Sequence, residues 1–272
     1  MSNTINPTAL VDGHVHLHEC FEPAAFLAAA HANFERRARL LGSTEWSGVL
    51  LFTESASADW FGRLADGETD VQSKGWRIQP LEEACSLLAE GPRGETLTLI
   101  AGRQIVAAER LEVLALGMRD KVADGGQLRE VMRFVKRAGA ICVLPWGNGK
   151  WLGSRGKVVR RLIDGAEHGE FFLGDNSGRL RWGPRPKEFD IGIQHGLYLL
   201  PGSDPLPFPS EFNKVGSYGF SLPALPDSER PFAWLRSRLE EQPQAIMPYG
   251  EREHVHRFIT NQIAMQIYKR RA

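Results

Sequence analysis

Short apolar runs alternate with amphipathic segments along most of the chain. Residues 9–15 and 48–53 are typical of buried strands, whereas residues 23–41 carry apolar side chains at helical spacing and end at Gly42, a favourable helix C-cap. The same pattern predicts helices at 57–64, 128–137, 158–163, 186–194, 232–241 and 251–271, and strands at 140–144, 171–173 and 197–200. Strands that alternate with helices in this way predict a mostly parallel sheet.

Two segments depart from this alternation. Residues 76–117 are rich in β-forming residues, and within them 97–106 and 112–116 predict a strand pair or meander. Residues 201–231 are rich in proline and glycine and predict irregular loops. Because no repeat or linker divides the chain, we expect one domain over residues 1–272. The predicted fold is α/β, a distorted (β/α) TIM-like barrel with parallel strands and an inserted β-hairpin or meander.

The composition narrows the class of protein. The 272 residues include 33 Lys and Arg against 33 Asp and Glu, and 42% are hydrophobic, which is typical of a soluble globular protein. The equal charges predict no nucleic-acid partner, since general nucleic-acid binders carry a basic excess, whereas a small anion needs only a few cations. No apolar run is long enough to cross a membrane, and we expect no secretory leader. The three cysteines lack the spacing typical of metal-binding sites. We therefore expect a cytoplasmic protein with no membrane partner.

The most informative motif lies at residues 10–18, which read LVDGHVHLH. Alternate residues of a strand point to the same side, so His14 and His16 can hold one metal ion where the first strand ends. In α/β barrels the carboxyl ends of the strands form the active site. The alternative is two unrelated polar residues on a surface strand, and His18 is either a further ligand or a loop residue.

Polar side chains also follow four other predicted strands: Glu54, Lys150, Asp175 with Asn176, and Asp204. Asp204 leaves the last strand, which neighbours the first strand in a barrel, so its carboxylate is expected beside the two imidazoles. Two imidazoles with one carboxylate suit Zn, Mn or Fe better than Mg or Ca.

The other five histidines are placed less favourably for chemistry. His168 and His195 come just before strands, at the amino end of the predicted barrel. His254 and His256 lie in a predicted helix, where residues two apart diverge by about 200° and cannot share a metal. His31 lies inside the first helix, and we expect it to be structural.

Four further segments bear on the chemistry: Thr53-Glu54-Ser55, the stretch GRQI at residues 102–105, Glu112, and Gly202-Ser203-Asp204. Together with His14 and His16, and in this order, they resemble the polymerase and histidinol phosphatase (PHP) domain family of metal-dependent phosphoesterases. Thr53-Glu54-Ser55 stands where the family has T-D-H, and residues 102–105 stand where it has G-x-E-I. Glu112 stands where the family usually has His. The G-S-D motif is intact, but the His that follows it in the family is missing.

The resemblance implies a barrel and a metal-dependent phosphoesterase. It implies that His14, His16 and Asp204 are metal ligands. Gln104 occupies a ligand position but is neutral, so it would not supply the charge that holds metals close together; the resemblance therefore implies one metal rather than three. The lead-in to the first strand also resembles the broader amidohydrolase superfamily, although no His leaves a middle strand as that group requires.

Two loops are candidates for binding an anion. Residues 147–157 are rich in glycine, carry three cations and run into a helix, and backbone N–H groups at a helix start attract anions. Residues 175–182 form the second candidate and contain Asn176 and Arg179. We expect Lys150 and Arg179 to clamp a phosphate or carboxylate substrate, with Asn176 beside them. The alternative is that both loops are flexible and solvated.

Two hypotheses follow for the function. The first is a metal-dependent hydrolase, a phosphoesterase acting on a small anionic substrate through a metal-activated water. Glu54 or Asp175 would take the proton, and Lys150 or Arg179 would neutralise the developing charge. The second is a catalytically degenerate protein of the same fold that binds a phosphorylated or sugar-like ligand as a regulatory or accessory module. The sequence leaves the substrate, the metal and the oligomeric state open.

Overall fold

A computed structural model describes residues 7–271 of the chain, with side chains to residue 268. The α-helices of this part, α1 to α7, span Pro23–Leu41, Trp60–Ala65, Leu128–Arg137, Gly153–Asp164, Lys187–Gln194, Pro231–Glu241 and Val255–Arg271. The strands, β1 to β12, span Thr8–Val15, Trp46–Phe52, Arg77–Pro80, Ser86–Glu90, Thr96–Ile100, Gly102–Val106, Glu112–Leu116, Ile141–Pro145, Phe172–Asn176, Tyr198–Gly202, Gly219–Pro223 and Met247–Tyr249.

The strands form two mixed sheets. The larger has the order β12-β11-β1-β2-β5-β4-β3, and the smaller has the order β10-β9-β8-β7-β6. Among the strands of the described residues, β1 pairs parallel with β2, β2 pairs parallel with β5, and β8, β9 and β10 form a parallel group. The predicted α/β class is therefore confirmed. A closed TIM-like barrel is not found among the described residues, because antiparallel strands interrupt the strand–helix repeat.

The antiparallel segments explain two differences from the sequence prediction. The single strand expected at 97–106 is divided into β5 and β6, which lie in different sheets. Residues 201–231, expected to be irregular, contain β11, which pairs antiparallel with β1. In both places a strand pairs with a distant part of the chain, which a local pattern does not reveal. The expectation of a single domain stays a prediction.

The backbones of the two sheets are hydrogen-bonded to each other where β1 and β2 end. The backbone N–H of Asp204 donates to the carbonyl of His14 (2.8 Å), and that of Gln104 donates to the carbonyl of Glu54 (2.8 Å). A Cβ on Gly202 would overlap the backbone nitrogen of His14, so only glycine permits this close approach. The carboxyl ends of strands from both sheets thus share one rim.

The space between the two sheets is apolar. Val11 and Val49 of the larger sheet pack with Leu114 and Val143 of the smaller one, and all four are almost fully buried. Separate apolar clusters lie under α1 and under α3, α4 and α5. The polar rim therefore stands on a packed apolar interior that fixes its position. None of the described helices combines the length and the apolar character needed to cross a membrane.

An irregularity in β1 decides which way its histidines point. The register of β1 on β2 shifts between Asp12 and Val15. Leu10 and Val15 both pack in the cluster under α1, although a regular strand would turn residues five apart to opposite faces. The shift leaves His14 and His16 on the face away from α1. β-Bulges commonly redirect side chains in this way beside functional sites.

Candidate metal centre

His14, His16 and Asp204 bring three potential ligand atoms together at the shared rim. The two imidazole Nε2 atoms are 3.0 Å apart, and each lies 3.6 Å from Asp204 Oδ1. A point about 2.0 Å from all three atoms lies inside this triangle, and Zn–N and Zn–O bonds in proteins have about that length. Two imidazoles and a carboxylate are also a donor set that transition metals accept. The residues present therefore fit one divalent ion of unassigned identity.

The protonation states of His16 and Asp204 suit a cation. Burial and the neighbouring His14 lower the pKa of His16 well below its usual value, so the ring is neutral. Burial raises the pKa of Asp204, but the charges of the neighbouring groups, His14, His16 and Lys150 foremost, together outweigh burial and the pKa falls below its usual value. Asp204 is therefore a carboxylate beside neutral imidazole, the forms in which these side chains bind metals.

Asn176, predicted to bind substrate, instead holds Asp204 in place. Its Nδ2 donates to Asp204 Oδ2 (2.8 Å) and to the carbonyl of Trp146 (3.0 Å). Both N–H groups are thereby used, and Asp204 Oδ1 is left to face the imidazoles. The backbone of Asp204 has φ of 48°, in the left-handed region, and its N–H bond to His14 fixes this conformation. Asn176 is thus a positioning residue in this geometry.

Asp12 is a second positioning residue, and the sequence reasoning missed it. Its buried carboxylate accepts hydrogen bonds from the backbone N–H groups of Ser203 (2.7 Å), Gly216 (2.8 Å) and His14 (3.3 Å). Burial raises the pKa of Asp12 to about 7, although the three donors oppose this rise. The side chain ties the end of β1 to the loop that carries Asp204. A lone Asp inside an apolar strand was the available signal.

A cavity of about 530 Å³ opens onto the three ligand atoms. This volume is within the range of sites that hold small organic molecules. Its wall also includes the predicted residues Glu54, Gln104, Lys150 and Asn176. The cavity therefore gathers seven of the nine residues predicted for the site.

The ionic side chains of the cavity are paired within the chain. Glu54 accepts from Arg103 Nη1 (3.1 Å) and from the Phe61 N–H (2.9 Å), and burial raises its pKa. Lys150 forms an ion pair with Glu112, which also lines the cavity. Glu112 thus contacts a lysine, at the position where the resemblance implied a histidine ligand. Gln104 lies in the wall, and within the described residues its side chain makes no hydrogen bond to the three ligands.

Asp175 and Arg179 are the two predicted site residues that do not line the cavity. Arg179 donates to both carboxylate oxygens of Asp175 (2.9 and 2.7 Å), and the Tyr218 hydroxyl donates to the same carboxylate (2.9 Å). All three side chains are buried. In this structure the two groups neutralise each other inside the protein, and the proton-acceptor role of Asp175 and the anion clamp of Arg179 stay predictions.

His18 lines the cavity but stands apart from the ligand triangle. Its Nε2 lies 2.9 Å from the carbonyl of Pro205, a bond in which the imidazole nitrogen donates. Burial lowers the pKa of His18. The bond anchors the loop after Asp204, so His18 contributes to the wall of the cavity.

Comparisons with known proteins support the fold. No family model matches the chain, and no curated protein matches it. Among solved structures, PsfC from Pseudomonas syringae PB-5123 aligns over 97% of this chain and 98% of its own, with 16% identity and a TM-score of 0.51. PsfC has a fold of the PHP type, so the chain has a PHP-like α/β fold. No sequence match shows that the chain belongs to the PHP family itself.

Two further structures are of endonuclease Q. The enzyme from Pyrococcus furiosus aligns over 86% of this chain and 56% of its own, with 11% identity and a TM-score of 0.48. A complex of endonuclease Q with a 27-mer duplex that contains an abasic lesion aligns over 88% and 57%, with 11% identity and a TM-score of 0.47. The chain thus spans a little over half of endonuclease Q.

The prediction of no nucleic-acid partner is corrected. It rested on the equal numbers of acidic and basic residues in the whole chain, yet a neutral total does not describe the charge at one surface. The neutral total is therefore no ground on which to exclude a nucleic-acid partner.

Proposed function

We propose that the protein is a metal-dependent hydrolase that cleaves a phosphate ester of a small anionic substrate in this cavity. The observation that carries the proposal is the triangle of His14, His16 and Asp204 ligand atoms at one end of a cavity of suitable size. Lys150 in the same wall adds a cation that a phosphate would contact.

The three side chains would hold one divalent transition ion, Zn, Mn or Fe. Such an ion, when bound, lowers the pKa of a water and polarises a phosphoryl oxygen. His14 and His16 would bind through Nε2, and Asp204 through Oδ1, because Asn176 already engages Oδ2. The neutral state of His16 leaves its lone pair available without loss of a proton.

One ion is favoured over two or three by the pairing of the other carboxylates. Besides Asp204, the cavity wall holds Glu54, Glu112 and Glu253, and each forms an ion pair with a cation of the chain. A second metal ion would have to displace Arg103, Lys150 or Lys214 from its partner. Gln104 offers no charge with which to compensate for that loss.

Glu54 is the proposed proton acceptor. It lies in the cavity wall, and its raised pKa brings the carboxylate nearer to neutral pH, where a general base works best. Arg103 and the Phe61 N–H fix the orientation of the carboxylate. Lys150 is proposed to stabilise the negative charge that develops on the phosphoryl oxygens.

A matched pair of variants tests this function. Protein purified without chelator is analysed for metal content and assayed on a panel of phosphoesters with added Mn²⁺ or Zn²⁺. We expect His14→Ala to lose both metal and turnover. The control, His254→Ala, removes an exposed histidine outside the cavity wall and should retain both. Full metal content and turnover in His14→Ala would exclude this site.

The second candidate is a binding protein without turnover. It is favoured by the hydrogen bond that Arg103 donates to Glu54, because this bond already engages the carboxylate proposed as the general base. This alternative predicts no hydrolysis of the phosphoester panel at any added metal, together with an increase in unfolding temperature on addition of phosphate. Robust metal-dependent turnover would reject it.

A further inference from the structure

One face of the C-terminal helix α7 forms part of the cavity wall. Residues that recur at three- and four-residue spacing along a helix share one face, and the wall residues of α7 follow this spacing. They are Phe258, Asn261, Gln262, Met265, Gln266 and Tyr268. The outward positions Ile259 and Ile263 are exposed instead. The inner face of α7 is therefore turned towards the proposed metal site.

The inner face of α7 differs in chemistry from the part of the cavity wall that holds the ligand triangle, the metal end. The metal end holds two imidazoles, Asp204 and Lys150, whereas α7 contributes three uncharged carboxamides, Asn261, Gln262 and Gln266. Carboxamides both donate and accept hydrogen bonds and carry no net charge. They therefore suit hydroxyl or amide groups of a ligand better than a phosphate. A phosphate is attracted instead by the cations of the metal end.

Asn261 is the side chain that most needs an explanation. It is only 9% exposed, and its carboxamide, which makes no hydrogen bond within the described residues, remains accessible from the cavity. Because Asn261 faces the cavity, a bound molecule is the available partner.

The helix is anchored at the cavity, so its face has a defined position. Arg257 donates to Glu211 (3.0 Å), which is also paired with Lys214 (2.8 Å). Farther along the helix, Asn148 Nδ2 donates to Gln262 Oε1 (2.9 Å). Asn148 belongs to the loop that carries Lys150, so the same loop contacts both the inner face of α7 and the metal end.

The cavity is much larger than one phosphate group requires. Its volume of about 530 Å³ leaves room for the rest of a small organic molecule beside α7. The half-buried Trp146 lies in the same wall and offers an aromatic surface. Amides together with an aromatic ring form a surface suited to a polyhydroxylated group.

We propose that the inner face of α7 is a substrate-recognition surface, and that Asn261 selects the hydroxylated part of a sugar phosphate. This inference rests on the proposed function for the placement of the phosphate at the metal end. Asn261 binds a hydroxyl group of the substrate, and Gln266 contributes beside it. Gln262 is engaged by Asn148 and mainly positions the helix.

The test compares Asn261→Leu with Thr260→Val. Leu has the same branched arrangement of side-chain heavy atoms as Asn but cannot form hydrogen bonds, and Thr260 is exposed and outside the cavity wall. Binding of inorganic phosphate, hexose 6-phosphate and pentose 5-phosphate to the metal-loaded protein is measured by calorimetry. We expect Asn261→Leu to weaken binding of at least one sugar phosphate about tenfold and to change phosphate affinity and metal content less than twofold. Thr260→Val should match the parent protein.

Several results would overturn the inference. They are equal weakening for phosphate and sugar phosphates, no weakening at all, or a parent protein that binds neither sugar phosphate more tightly than phosphate. If Asn261→Leu does not fold, as judged by circular dichroism, Gln266→Leu replaces it, because Gln266 is exposed to the cavity. Selective weakening without any turnover would support recognition by α7 and reject the hydrolase. Turnover without selective weakening would support the hydrolase and reject recognition by α7.

Discussion

Two aspartates at the ends of neighbouring strands have opposite surroundings. Asp204 follows β10 and faces the imidazoles of His14 and His16 in the cavity, with Asn176 as its hydrogen-bond donor. Asp175 lies in β9 and is paired with Arg179 in the interior, with Tyr218 as its hydrogen-bond donor. The first carboxylate has charge available for a cation from outside, whereas the charge of the second is neutralised by the chain itself.

The pleat of β9 accounts for the difference. Adjacent residues of a strand point to opposite faces, so Asn176 and the neighbouring Asp175 cannot both face the cavity. Asn176 is the one that reaches Asp204. A position at the carboxyl end of a strand therefore does not by itself make an acidic residue part of a site; the face of the strand decides.

The largest expected effect is on turnover in Asp204→Asn. The carboxamide keeps the shape of the side chain but removes the charge that balances the metal. We expect hydrolysis of the best phosphoester to fall by more than about 100-fold, beyond the range seen when residues around a metal's ligands are changed. Steady-state kinetics at saturating metal measure it. Turnover within tenfold of the parent would show that Asp204 is not a ligand.

Asp175→Asn should chiefly affect stability. It leaves the buried Arg179 without its counter-charge, and breaking one side of a buried ion pair costs about 3–5 kcal/mol. Urea denaturation of the metal-free variant measures the free energy of unfolding, and its metal affinity should stay within a few-fold of the parent.

A double variant serves as the control for this pair. Asp175→Leu with Arg179→Met removes both charges and should be less destabilised than Asp175→Asn, because no unpaired charge remains. A single variant as stable as the parent would contradict the neutralising role of the pair.

Asn176→Leu tests the positioning of Asp204. It removes both hydrogen bonds of the carboxamide and leaves Asp204 free to rotate. We expect metal affinity to fall by about 10- to 100-fold, the usual consequence of losing a side chain that orients a ligand. Competition with a fluorescent chelator measures the affinity. An unchanged affinity would mean that Asp204 is oriented by its backbone alone.

Tyr218→Phe has the smallest expected effect. It removes one hydrogen bond from Asp175 and leaves the bidentate bond to Arg179 intact. The free energy of unfolding should fall by about 1 kcal/mol, as for a typical buried hydrogen bond, with no change in metal affinity. A loss of metal binding in this variant would show that the two aspartates are coupled.

Part of this site could be predicted from the sequence. Alternation along a strand placed His14 and His16 on one side, and the order of strands brought Asp204 beside them. The sequence did not reveal the register shift in β1 that turns these histidines away from α1, because it depends on pairing with β2. Nor did it reveal which of Asp175 and Asn176 faces the cavity, since alternation fixes only their relative directions.

The fold shows the same limit. The strand–helix alternation correctly predicted the α/β class, whereas the assignment of β5 and β6 to different sheets and the pairing of β11 with β1 depend on distant contacts. Helix α7 was predicted from its local pattern. Its place beside His14, more than 240 residues earlier in the chain, had no local signal.

Titration of Zn²⁺ into chelator-stripped protein tests the central claim most directly. We predict a stoichiometry near one ion per chain for the parent protein and for Asp175→Asn, and no specific binding by Asp204→Asn. Two or more ions bound by the parent, or one ion still bound by Asp204→Asn, would contradict a single site at His14, His16 and Asp204.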